Sequence, residues 1–105
     1  MVKFDTFKKF QEGINNWIQS HGGYWSPLSM LCAIMEELGE VSRQLNCLEG
    51  HKPKKSGGHD SSLGEELGDL IFSIICIANY YNIDLGEELN NSIKKYSERD
   101  SNRFR

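Results

Sequence analysis

The chain has 105 residues, enough for one domain spanning residues 1–105, whose core is necessarily modest. Its 38% hydrophobic and 26% charged residues exclude a disordered chain, and a formal net charge of -3 gives no electrostatic footprint for nucleic acid. The longest apolar run, Leu70 to Ala78, is about half of the roughly 18 residues a membrane span requires. The N-terminal MVKFDTFKKF has no apolar stretch of the signal-peptide kind, so no membrane partner is expected. Cys32, Cys47 and Cys76 are odd in number and far apart, which suits free thiols in a reducing cytoplasm better than a zinc site.

Apolar spacing and capping residues predict four helices and no strand. The first opens at Asp5 or Thr6, carries Phe7, Phe10, Ile14, Trp17 and Ile18 at helical spacing, and ends near His21-Gly22-Gly23. In the second, Ser26 is the cap and Pro27 takes the first helical position, where its missing N–H costs nothing. Met30, Leu31, Ile34, Leu38, Val41, Leu45 and Leu48 form its stripe, and Gly50 stops it. A polar, Lys- and Gly-rich loop, HKPKKSGGHDS (residues 51–61), follows. Ser62-x-x-Glu65 then reads as a capping box for a third helix to about Tyr81, and Asp84-x-x-Glu87 as another for a fourth through Ile93 and Tyr96. The fold class is all-α, a four-helix bundle.

The third helix is apolar at nearly every position from Leu70 to Ala78 and should therefore be covered on all sides. Three companions in a short chain can hardly achieve that, so a homodimer burying this helix is expected.

Two acidic groups occupy the central helices. Glu36-Glu37-Leu38-Gly39-Glu40 lies on the second and Glu65-Glu66-Leu67-Gly68-Asp69 on the third. Within them Glu37 with Glu40, and Glu66 with Asp69, are i, i+3 pairs that project from one face. Drawn together beside apolar surface, four carboxylates would repel one another or take up protons. A divalent cation removes that difficulty, and oxygen ligands without His or Cys select Mg²⁺ or Mn²⁺. The plain alternative is a set of solvated acids. It is preferred for Glu65, which favours the helix dipole, stays open for Glu36, and on composition alone stands level with a metal site for the pairs.

The motif Glu36-Glu37-x-x-Glu40 followed by Glu66-x-x-Asp69 resembles the EExxE…ExxD signature of the MazG-like, all-α nucleotide pyrophosphohydrolases. The likeness extends to Ser26-Pro27-Leu28, Lys52-Pro53-Lys54-Lys55, Glu66-Leu-Gly-Asp-Leu-Ile-Phe, Ala78-Asn79 and the closing Lys95-Tyr96-x-x-Arg99-Asp100-x-x-Arg103. It covers nearly the whole chain, residues 5 to 103. The resemblance implies a Mg²⁺-dependent enzyme, with Mn²⁺ as substitute, that splits nucleoside triphosphates into monophosphate and pyrophosphate, perhaps surplus or non-standard ones. It implies Glu37, Glu40, Glu66 and Asp69 as metal ligands, Glu36 as the group that orients or deprotonates the attacking water, and a homodimer or tetramer. Lys95 and Arg99, i, i+4 on the fourth helix, are implied phosphate contacts. Lys55 and its neighbours either close over phosphates or only solubilise a loop. Trp25 and Tyr24 either stack on a nucleobase or staple the second helix, and Asn79 either bonds base or sugar or caps a helix end. His21, His51 and His59 are read as solvent-facing.

Two other readings compete. A non-catalytic module that binds nucleotide or metal predicts binding without turnover. A ferritin-like di-iron bundle expects Glu-x-x-His motifs, which none of the three histidines supplies.

Overall fold

The computed structural model describes residues 6–50 and 61–99, and the described residues hold four α-helices and no strand. They are α1 (Thr6–Ser20), α2 (Pro27–Leu48), α3 (Leu63–Tyr80) and α4 (Leu85–Arg99). The all-α reading with four helices is met. Asp5 and most of the 51–61 loop lie outside the described residues.

The caps explain the boundaries. Ser26 Oγ accepts the Ser29 N–H at 3.2 Å with Pro27 behind it, Ser62 Oγ accepts the Glu65 N–H at 3.0 Å, and Asp84 Oδ1 accepts the Glu87 N–H at 3.1 Å. Each satisfies one of the N–H groups that a helix start leaves without a partner. Two helix ends close alike. The Gly23 N–H reaches back to the Ile18 carbonyl at 2.9 Å past Gly22 at φ +104°, and the Ile83 N–H reaches Ala78 at 2.8 Å past Asn82 at φ +56°. The left-handed residue is a glycine at one end and an asparagine, the side chain that best tolerates that backbone, at the other.

The main packing is α2 on α3; α1 lies on α3, and α4 lies on α1. The arrangement is open. The Cα radius of gyration is 16.8 Å, against about 13 Å for a compact domain of about 100 residues. Among the described residues, Met30, Val41, Ile75, Cys76 and Ala78 form the buried apolar core. Leu67, Ile71, Phe72 and Ile74 of α3 stay exposed, as do Leu31, Met35, Leu38 and Leu45, which share one stripe of α2. Among the described residues α3 is thus not completely covered, its main companions being α2 and α1.

Candidate functional site

The two central helices are packed along their length, and a polar tie joins them near the start of α3. Buried Gln44 on α2 donates from Nε2 to Ser61 Oγ at 3.3 Å, just before α3 begins. From that point α2 runs back about two turns to Glu37, while α3 runs forward one to two turns through Glu66 and Asp69. The two motifs therefore meet. One carboxylate oxygen each from Glu37, Glu66 and Asp69 lie within 4.8 Å of one another.

The electrostatics are those of a site that wants a cation. Glu66 is 6% exposed, and its carboxylate has no hydrogen bond or ion pair among the described residues. Glu37 is half-buried. Desolvation first, then the charges of Asp69, Glu66, Glu40 and Glu36, hold its carboxyl above the ordinary value. Three hard oxygen donors without nitrogen or sulfur fit Mg²⁺ or Mn²⁺.

The other acids stand differently. Glu40 lies outside the close triad and pairs with Arg43, one turn along α2. Glu36 is exposed next to Glu37 and adds to its charge load.

Beside the acids opens a cavity of about 400 Å³ between α1, the 21–26 turn, α2 and α3. Glu37 forms part of its wall, next to Ser73, Cys76 and Phe72 of α3 and Met30 and Ala33 of α2. The opposite wall is aromatic: Trp17 of α1 and His21 just past its end, then Tyr24 and Trp25. Trp17 stacks on His21 with centroids 4.1 Å apart and meets Phe72 edge-on at 6.0 Å. His21 Nδ1 lies 2.7 Å from the Trp17 carbonyl. A carbonyl only accepts, so this contact requires the ring proton on Nδ1 and leaves Nε2 of the neutral ring an acceptor.

Trp25, singled out from the sequence, is 68% exposed at this cavity. Trp17, His21, Ser73 and Cys76 were not expected there. Trp17 reads as one more member of the α1 stripe and His21 as a loop histidine; their i, i+4 spacing ahead of two glycines was the available signal.

Asn79 lies elsewhere, at the α1–α3–α4 junction. Its Oδ1 accepts from Gln11 Nε2 at 2.9 Å and its Nδ2 donates to the Gln11 carbonyl at 2.9 Å. Lys95 and Arg99 are on α4, with their cations 4.9 Å and 5.4 Å from the Tyr96 ring centre. With Asn91, Lys94 and Glu98 they line a separate hollow of about 460 Å³, and within one chain this is not joined to the acids. Lys55 lies outside the described residues.

Comparison with known proteins agrees with this geometry. A MazG nucleotide pyrophosphohydrolase domain model matches residues 25–104. The YpjD protein of Bacillus subtilis is 40% identical over 100 residues, covering 94% of this chain and 90% of that protein. Among solved structures, YPJD of Bacillus subtilis, named as a candidate pyrophosphatase, superimposes with a TM-score of 0.77 at 38% identity, covering 90% of this chain and 98% of that one. A Bacillus-conserved MazG protein, a nucleotide pyrophosphohydrolase, gives a TM-score of 0.76 at 35% identity, covering 96% and 99%.

Proposed function

Because the chain belongs to the MazG nucleotide pyrophosphohydrolase family and is thereby a hydrolase, we propose that it splits nucleoside triphosphates into nucleoside monophosphate and pyrophosphate with the help of Mg²⁺. The observation that carries this reading is the grouping of Glu37, Glu66 and Asp69 oxygens within 4.8 Å beside a cavity of nucleoside size. Three carboxylates so close are tolerable together when a divalent cation shares them. When bound there, Mg²⁺, or Mn²⁺ in its place, supplies charge neutralisation for phosphate oxygens and activates water.

The roles of the side chains follow. Glu37, Glu66 and Asp69 hold the cation, and Glu40 joins them by leaving Arg43, a partner only one turn away. Glu36, exposed next to Glu37, orients the attacking water or accepts its proton. Phosphoryl transfer asks for positioning and charge balance rather than covalent help, and this site is built of groups that do both. Trp17, His21 and Trp25 take the base by stacking. Stacking is tolerant of base identity, which favours a broad clearing of surplus or non-standard triphosphates.

Lys95, Arg99 and Lys55 take the triphosphate. Since α4 packs mainly on α1, away from the acids, we assign Lys95 and Arg99 of one copy to the triphosphate held by another. The exposed stripe Leu31, Met35, Leu38 and Leu45 with Ile71 and Ile74 is the face on which a homodimer or tetramer forms. Three free cysteines suit a cytoplasmic setting, and no helix among the described residues is long and apolar enough to cross a membrane.

Incubation with a panel of ribo- and deoxyribonucleoside triphosphates and Mg²⁺, with pyrophosphate and monophosphate as the readout, tests the chemistry. Absence of pyrophosphate above background would sink it. Light scattering in the same buffer tests self-association, which a single-chain mass would refute.

A further inference from the structure

A chain of uncharged side chains runs from the interior to the aromatic wall of the cavity. Gln11, 7% exposed, donates from Nε2 to Asn79 Oδ1 and to the Ile83 carbonyl, both at 2.9 Å, and accepts the Leu85 N–H on Oε1 at 2.9 Å. Asn79 returns a bond to the Gln11 carbonyl at 2.9 Å. Tyr24, part of the cavity wall, donates to Asn15 Oδ1 at 2.6 Å. Asn15, one turn beyond Gln11 on α1, thus joins Tyr24 to the helix held by the Gln11–Asn79 clasp. The clasp is also the point where α1 is tied to the α3–α4 turn. The same helix carries Trp17, about two turns from Gln11, and leads directly into His21.

We infer that Gln11 and Asn79 are positioning residues that set the aromatic wall of the nucleobase cavity through Tyr24, so that Asn79 acts on the base without touching it. This rests on the nucleotide reading above. Amide pairs suit the task, because a doubly bonded Gln–Asn clasp fixes both position and rotation of α1. None of its members belongs to the acid group, so the clasp governs how the base is held and leaves cation binding alone. What it adds is fit to a nucleoside. Inorganic tripolyphosphate, which carries the phosphates without base or sugar, is blind to it.

The experiment compares KM for Mg²⁺–nucleoside triphosphate with the inhibition constant of Mg²⁺–tripolyphosphate in the full-length protein. Asn79→Ala is the direct variant. Tyr24→Phe, which keeps the ring and removes only the hydroxyl, guards against loss of fold. Tyr24→Phe is expected to raise KM about threefold to tenfold, the worth of one or two hydrogen bonds, with kcat and the tripolyphosphate constant within about twofold of wild type. Asn79→Ala, if it folds, should raise KM at least as much. Equal changes toward both ligands, or a fall in kcat at constant KM, overturn the inference. Nucleotide binding is followed in parallel by the fluorescence of Trp17 and Trp25, using nucleoside monophosphate as probe. A wild type that binds monophosphate but releases no pyrophosphate refutes the proposed reaction alone. A Tyr24→Phe chain that binds monophosphate as tightly as wild type refutes the positioning role.

Discussion

Glu66 and Gln11 are equally buried as residues, at 6% and 7% exposure, yet their polar ends are treated in opposite ways. Every polar atom of the Gln11 amide has a partner. Glu66 has none among the described residues, and two further carboxylates crowd it. Burying a paired amide is close to neutral, and leaving it unpaired is costly. The Glu66 carboxylate instead keeps its oxygens in reach of solvent, within 4.8 Å of two like charges that repel it. The clasp at the α1–α3–α4 junction is therefore complete within the chain. The acid group at the α2–α3 junction, on the function proposed above, is complete only with a cation added. That difference, rather than burial, separates the part of the molecule that holds the fold from the part kept ready for a ligand.

The comparison can be broken most forcefully at Asp69. Asp69→Asn removes a charge from the acid group with little change in shape. Triphosphate hydrolysis should fall by about 10²–10³-fold in kcat, the order of loss seen when one charge-stabilising group is removed. Its metal-free melting temperature should be unchanged or higher, because a repulsion is gone. A variant with wild-type turnover would show that these acids are merely solvated.

Gln11→Leu probes the other half. It strands the Leu85 N–H and the Asn79 and Ile83 acceptors, so unfolding stability should drop by about 1–3 kcal/mol, which denaturant titration would detect. The Mg²⁺ concentration for half-maximal activity should not move. A shift in metal demand would mean that the two regions are coupled.

The smallest effect is in pH. Glu37 has a folded-state pKa raised above its ordinary 4.5. Its contribution is thus most favourable below the ordinary value and is lost as pH rises through the raised one. Without metal, wild type should lose stability relative to Glu37→Gln across that window, and thermal melts of the two proteins from acid to neutral pH would measure the gap. With Mg²⁺ the trend reverses, since protons then compete with the cation. Parallel curves without metal would remove the charge crowding from the account.

What could be read beforehand was local. Ser26-Pro27, Ser62 and Asp84 mark helix starts because a side-chain cap acts within three residues, and the caps fall there. The acid motifs were legible for the same reason: Glu66-x-x-Asp69 is one turn of helix, and two such turns on neighbouring helices have few ways to miss each other. The pairing of Glu40 with Arg43 was equally local but lay hidden beneath the motif reading. Contacts between distant parts of the chain were not legible. Gln11 and Asn79 are 68 residues apart, and nothing in either neighbourhood announces the other. Trp17 was assigned to a core stripe because spacing shows which face a residue is on and not whether another helix arrives to cover it. The open placement of α4 escaped for that reason too.

The Gln44–Ser61 tie has a consequence for how this chain can vary. With Gln44 held by that bond and by the packing of α2 on α3, one residue inserted between Glu37 and Gln44 would swing Glu37 by about 100° out of the acid group. Chain added between Gly50 and Ser61 leaves that spacing untouched and costs little closure entropy. Length changes are therefore cheap between Gly50 and Ser61 and ruinous between Glu37 and Gln44, which makes α2 the ruler of the molecule.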